Sequence, residues 1–372
     1  MNIEKYRILN EELPGSIGDL GTFLPYVIGA IAIGGLDATG VFTMFGLMYI
    51  FTGWFYRVPV PVQPMKVIGA AILVHHLTAG EVAAAGYMMG FTLLFLGLTG
   101  LVDKLAKFTP QSVTSGIQAG LGISLALLGI TFIKTDLFLG LPILLLMLLL
   151  FGNKKIPASI IGVLGGTVLA FIIHPELSFP HLTPGVHLPT IFLPELADFN
   201  RGFTLAYLPQ LPLTLTNSIL VTAVLAHDLY SDRAKKVTEK NLCLTLGIGN
   251  LISVPMGGYI MCHGSGGMAA HHRFGGRTGA TTIIMGSILL LTGIILGPSG
   301  LALMEIIPKA VLGSLLFYSG IDLVTGVKNI KGNNNFYSFI IVVIVSVAVN
   351  PAVAFIIGIP LVYLLNKGWV KV

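Results

Sequence analysis

A chain of 372 residues with 54% hydrophobic and only 10% charged side chains, at mean hydropathy +0.89, is not a soluble domain; those carry roughly a quarter charged residues. The net charge of +5 and pI of about 9.1 call for no nucleic acid, because the lysine and arginine bias of the inner side of a membrane protein gives the same balance. Two cysteines, Cys243 and Cys262, make no disulfide framework, and no cleavable leader is expected from the polar, charged start.

In chain order, apolar segments fall near 15–34, 38–56, 62–76, 82–102, 110–131, 137–152, 156–174, 205–228, 237–255, 262–272, 278–297, 306–326, 335–350 and 352–367, fourteen in all. Several are shorter than the roughly 20 residues of a plain spanning helix. With the N-terminus inside, the inner loops collect Lys5, Arg7, Arg57, Lys104, Lys107, Lys154, Lys155, Arg233, Lys235, Lys236, Lys240, Arg273, Arg277, Lys328, Lys331, Lys367 and Lys371. The outer side holds Lys134, Arg201 and Lys309, and Lys66 is left in the membrane. That bias predicts fourteen passes with both termini cytoplasmic and the long loop 175–204 outside.

The third segment opens as Arg57-Val58-Pro59-Val60-Pro61-Val62-Gln63-Pro64-Met65-Lys66. Pro59 and Pro61 lack amide donors and push the residues before them out of helical geometry, whereas Pro64 suits a first helical turn. An extended piece therefore runs into a half-helix that starts at depth in the bilayer, aiming free amides and a partial positive charge inward. The halves repeat. A shift of 198 puts Leu13-Pro14 on Leu211-Pro212, Gly18-Asp19 on Thr216-Asn217, and Pro110-Gln111-Ser112-Val113 on Pro308-Lys309-Ala310-Val311; a shift of 200 puts Val62-Gln63-Pro64 on Cys262-His263-Gly264. Seven segments per half, an odd number, insert upside down relative to each other, the inverted-repeat plan of secondary transporters. The expected fold is an all-α polytopic membrane protein, a 7+7 inverted repeat in which segments 3 and 10 are each a short strand plus a half-helix. Two half-helices meeting N-terminus to N-terminus near the midplane make an anion site.

The stretches Gly15-Ser16-Ile17-Gly18-Asp19-Leu20-Gly21-Thr22, Pro61-Val62-Gln63-Pro64-Met65-Lys66, Pro209-Gln210-Leu211-Pro212 with Asn217-Ser218, and Cys262-His263-Gly264-Ser265-Gly266-Gly267 with Arg273-Phe274-Gly275 resemble those of the molybdate transporter family, a branch of the sulfate permease superfamily. The resemblance covers nearly the whole chain, with four motifs in order. It implies the fold shared with uracil permease: a core (transport) domain of 14–102 and 205–298, a gate (scaffold) domain of 103–174 and 306–370, and 175–204 as an extracytoplasmic loop. It implies uptake of molybdate, a tetrahedral dianion, with tungstate and sulfate as related ligands, and a homodimer, which is usual for this fold. His271-His272 departs from the pattern, at what reads as a peripheral place.

Each candidate has a plainer alternative. Asp19, a carboxylate inside the first segment where charge is costly, either carries a coupling proton or ties amides of the broken helices. Asn217, its repeat mate, donates to an oxyanion or packs helices through its amide. Gln63 offers a donor at the first half-helix, against capping or strand pairing. Lys66 adds charge to the site or pairs with Asp19. His263 and Ser265 head the second half-helix; Gly264, Gly266 and Gly267 offer amides or permit close packing. Gly18 and Thr22 complete the cage. No set of ligands accompanies His75-His76 or His271-His272, so neither metal nor cofactor is expected. An intramembrane aspartyl protease fails because Gly-Ser-Ile-Gly-Asp is one residue off its pattern and no second aspartate matches. A nucleobase carrier would need carboxylates where Asn217 and His263 stand. An anion channel on the same fold, or a sulfate carrier, stays open beside the favoured reading: secondary active import of molybdate, coupled to protons, by elevator-like alternating access, in a bacterial or archaeal-type plasma membrane.

Overall fold

The computed structural model describes residues 12–369 apart from 103–109, 152, 154–157, 176, 301, 303–305, 326 and 328–329, and, at 21 and 22, the backbone only. The basic residues Lys5, Arg7, Lys104, Lys107, Lys154, Lys155, Lys328 and Lys371 lie outside the described residues.

A helix occupies each of the fourteen apolar segments. The first segment is split into α1 (Glu12–Ile17) and α2 (Leu20–Ala32), with Gly18 and Asp19 at the break. Helix α3 (Ala38–Tyr56) is capped by Asp37, whose carboxylate accepts from the Thr39 and Gly40 amides at 3.2 and 2.9 Å. It ends at Arg57, whose left-handed φ of 63° turns the chain into the proline run. Strand β1 (Gln63–Pro64) leads into half-helix α4 (Lys66–His75). A capping box of Thr78 and Glu81 opens α5 (Ala79–Thr99). Then come α6 (Gln111–Ile133), α7 (Leu137–Leu149) and α8 (Ala158–Ile173).

The second half starts with α9 (Asp198–Ala234), a long helix that widens into π turns at Gly202–Tyr207 and Thr214–Val221 and breaks into a 3-10 turn at Ser231, whose φ is 48°. Pro209 and Pro212 remove two amide donors between those turns. It continues through α10 (Glu239–Ser253), β2 (Met261–Cys262), half-helix α11 (Ser265–Arg273), α12 (Ala280–Leu296), α13 (Lys309–Thr325), α14 (Asn333–Ala348) and α15 (Pro351–Asn366).

The repeat survives in three dimensions. Subtracting starts gives 201 for α3 and α10 (239 − 38), 199 for α4 and α11 (265 − 66), 201 for α5 and α12 (280 − 79), and 198 for α6 and α13 (309 − 111). Contacts obey the same exchange. Gly46 packs on Gly286, joining α3 to α12, and Gly90 packs on Gly247, joining α5 to α10. On the shared seam of α6 and α13, a Cβ on Gly122 would strike the Gly320 carbonyl and one on Gly320 would strike the Gly122 carbonyl. Those two residues are 198 apart, so a position meets its own mate and the pseudo-two-fold axis passes there. Small residues are what allow the backbones so close.

Outward-facing apolar side chains such as Phe138, Leu149 and Leu145, at 86%, 83% and 60% exposure, suit a hydrocarbon surround. Among the described residues, four helices are long and apolar enough to cross a membrane by length and composition: α3, α5, α6 and α9. The others are shorter, as the sequence anticipated.

Candidate functional site

The strands β1 and β2 are antiparallel neighbours, with Gln63 opposite Cys262 and Pro64 opposite Met261. Two residues a side cannot hold themselves together, so side chains extend the pairing. Asn250 reads Met261 as a strand would: its Oδ1 accepts from the Met261 amide at 2.7 Å and its Nδ2 donates to the Met261 carbonyl at 3.0 Å. The Met65 amide donates to the Ile260 carbonyl at 3.1 Å, and the Tyr259 hydroxyl donates to the Met65 carbonyl at 3.3 Å. Irregular backbone at membrane depth is tolerable because its polar groups are satisfied in this way.

The sequence candidates divide around this pair. Gln63 is buried, and its Nε2 donates to Asp19 Oδ1 at 2.5 Å; the Tyr49 hydroxyl donates to Asp19 Oδ2 at 2.9 Å. Asp19 thus joins the break in the first segment to the strand of the third. Gly264 and Gly267 flank this knot: a Cβ on Gly264 would land on Gln63 Oε1, and one on Gly267 would come within 2.7 Å of the Asp19 carboxylate and of Gln63 Nε2. Gly18 packs against Phe274 and the Ala270 carbonyl. Thr22 lies in the first turn of α2, and its side chain is outside the described residues.

His263 is fully buried with both ring nitrogens engaged, Nδ1 at 2.7 Å from the Pro61 carbonyl and Nε2 at 3.0 Å from Thr245 Oγ1. It braces the two extended pieces. Ser265, one residue into α11, donates to Asn217 Oδ1 at 2.6 Å, which ties the π turn of α9 to the second half-helix. Gly266 differs from its neighbours: it is exposed, and nothing lies within 4 Å of where its Cβ would be. Open space therefore reaches the first turn of α11, where helical amides have no intrahelical acceptor.

At the start of α4, the Val67 amide is already capped by Gln210 Oε1 at 3.0 Å. Lys66 faces neither Asp19 nor empty space. Its Nζ donates to Asp322 Oδ2 on α13 at 3.0 Å, with side-chain exposures of 24% and 40%. The expected alternative of a Lys66–Asp19 pair gives way to this one because α13 runs close to the half-helix start and presents the nearer carboxylate.

One placement corrects the sequence reading. His271 is not peripheral: it is fully buried, with Nδ1 2.8 Å from the Gly15 carbonyl and Nε2 3.9 Å from Asp19 Oδ2. The half-helix is short, so its last turn still packs against the broken first segment. His272, the next residue, sits edge-on to Tyr230. Asp322 carries in the sequence the same signal as Asp19, an acid inside an apolar segment. Asn250 and Tyr49 carried no such signal. Two cavities, of about 280 and 350 Å3, lie against Pro110 and Tyr363 and between α3 and α10, away from the half-helix starts.

Two half-helices that meet at a buried strand pair, within two interlocked repeats, define a polytopic membrane protein of inverted-repeat architecture. The chain is similar over 94% of its length to the transmembrane domain of a cyanobacterium bicarbonate transporter BicA, covering 98% of it, with TM-score 0.70 and 21% identity. It is similar over its whole length to the murine Solute Carrier 26 family member A9 anion transporter in the inward-facing state, covering 70% of that chain, with TM-score 0.71 and 13% identity. At those identities the likeness is one of fold. In sequence it is 32% identical to molybdate transporter 2 of Arabidopsis thaliana, over 96% of this chain and 88% of that protein. It is 26% identical to molybdate transporter 1 of Chlamydomonas reinhardtii, over 93% and 89%. The family model described as "Molybdate transporter of MFS superfamily" matches residues 11–125 and 202–323. The chain belongs to the molybdate transporter family.

Proposed function

We propose that the protein imports molybdate as a secondary active carrier, with the dianion held between the starts of α4 and α11. The observation that carries this reading is the open space over Gly266 in the first turn of one half-helix, together with the Lys66 ammonium at the start of the other. Helix N-termini and one lysine supply positive potential without a metal. Ser265 and Asn217 supply neutral polar groups beside them, and the amides of Gly266 and Gly267 complete the cradle. Gln63, Gly264 and Gly18 shape it from behind through their contacts with Asp19 and α11, and His263 fixes the strand pair that sets the distance between the two helix starts. Thr22 is assigned to the same cage by its place in α2.

In the proposed cycle, fourteen passes form two bodies. Residues 14–102 and 205–298 make the moving core and 103–174 and 306–370 the scaffold, with 175–204 outside and both termini cytoplasmic. The core carries its ligand past the scaffold in an elevator-like step. Asp19 is the coupling group, a buried carboxylate that shares Gln63 with the cage wall, so that its protonation changes the donor that shapes the site. A homodimer is the expected assembly.

Reconstituted liposomes test this. The expected result is saturable molybdate accumulation, stimulated by an inward proton gradient and competed by tungstate more strongly than by sulfate. Failure to accumulate molybdate under any gradient overturns the carrier reading. Voltage-driven, non-saturating flux identifies an anion channel instead, and accumulation of sulfate alone identifies a different oxyanion carrier.

A further inference from the structure

Lys66 and Asp322 lie 256 residues apart and are 3.0 Å apart in space. They sit on elements of different kinds. Lys66 is the first residue of a ten-residue half-helix that hangs on a strand pair, whereas Asp322 belongs to α13, which is locked along α6 by mutual glycine contacts. The pair is partly exposed, with 24% of the Lys66 side chain and 40% of the Asp322 side chain accessible. Tyr26, whose ring lies against Gly69 of the same half-helix, has a buried hydroxyl with no hydrogen-bond partner among the described residues. An unpartnered hydroxyl and a lysine held by a displaceable carboxylate are the marks of a site in which a side chain stands where a ligand oxygen belongs.

We propose that Asp322 is a resident counter-anion: it holds Lys66 when the carrier is empty, and the arriving oxyanion takes Lys66 from it, releasing α4 from α13. Rearrangement then follows binding, because the bond broken by the ligand is the one that ties the half-helix to its neighbour. Without ligand the bond re-forms, which disfavours movement of an empty core. Asp322 is a positioning residue in this account, acting through Lys66. The inference rests on the proposed oxyanion site.

The test uses purified full-length carrier in detergent and in liposomes, with direct molybdate binding, uptake and thermal unfolding measured on each variant. Asp322→Asn is expected to tighten molybdate binding about two- to fivefold, the size of a water-exposed ion pair, and to enlarge the upward shift in Tm that molybdate produces. It is also expected to let the empty core move, seen as faster net efflux of molybdate into substrate-free medium. Asp322→Glu, which keeps the charge, is expected to restore wild-type affinity and suppress that efflux. Lys66→Ala is expected to lose binding. Unchanged or weaker binding in a folded Asp322→Asn protein overturns the proposal, and if that protein does not fold, Asp322→Ser is read by the same criteria. Wild-type protein that binds sulfate but not molybdate overturns the substrate assignment, and the same series run with sulfate then decides the role of Asp322.

Discussion

Two glycines two residues apart should respond in opposite ways to the same methyl group. A Cβ at Gly264 has no space, because Gln63 Oε1 already occupies it. Gln63 cannot retreat without surrendering its bond to Asp19, which would leave a buried carboxylate short of a donor. Loss of a hydrogen bond to a charged group costs about 1.5–3 kcal/mol, and overpacking a tight site adds about 1–3 kcal/mol. Gly264→Ala should therefore lose roughly 2.5–6 kcal/mol, enough to lower Tm by many degrees. Gly266 faces open space with ordinary helical geometry, so Gly266→Ala should leave stability equal or raise it by about 0.5–1 kcal/mol through reduced backbone entropy in the unfolded chain. If that space holds the oxyanion, its methyl should instead cost binding, on the order of 1–3 kcal/mol or about 5- to 150-fold in apparent affinity. Thermal unfolding in detergent and initial uptake rates in liposomes separate the two effects. A Gly264→Ala protein that melts like wild type would refute the packing argument. A Gly266→Ala protein with unaltered apparent affinity would remove the oxyanion from that space.

Asn250→Ala strips partners from a buried amide and a buried carbonyl of Met261, each worth about 1–3 kcal/mol; a clear drop in Tm with loss of uptake is expected, and Asn250→Asp should rescue only the half served by the acceptor. Gly122→Val places bulk on the Gly320 carbonyl at the axis, so poor insertion or early unfolding should show in size-exclusion profiles, whereas Gly165→Ala, with nothing within 4 Å of its Cβ, should be silent. At the end of the bundle, the His174 ring lies 2.7 Å from the Asp136 carboxylate, and that hydrogen bond holds the carboxyl below its usual range. A lowered folded value adds stability above the ordinary aspartate pKa of about 3.9 and loses it as pH falls through the folded value. Asp136→Asn should thus lower Tm at neutral pH, and the difference from wild type should shrink in strong acid.

Much of this architecture was legible in the chain. Proline chemistry at 59–64 marked where helix could not form, and the near-constant shift located its mate; both follow from local rules, and the strand pair lies where they pointed. Lys66 shows where such rules stop. Its position near a half-helix start could be read, but its partner depends on how α13 packs 256 residues later, and periodicity carries no record of that. His263 and His271 make the same point in opposite directions. Both are histidines on short segments, yet one braces a strand pair and the other points at a carboxylate, because a ring's role is set by what surrounds it and not by its own sequence neighbours.

The strand pair also governs the order in which the molecule can be made. Gln63 and Pro64 leave the ribosome roughly 200 residues before the Met261 and Cys262 that will complete them. At about 5–20 residues per second of synthesis, the first half precedes its partner by some 10–40 s, and extended backbone left in hydrocarbon for that time would cost several kcal/mol per unsatisfied polar group. The nascent third segment must spend that interval in the insertion machinery, in a water-filled pocket or at the bilayer surface, and can settle only when its twin arrives. A chain cut between the halves is then missing more than its second domain: it lacks the template without which the first cannot come to rest.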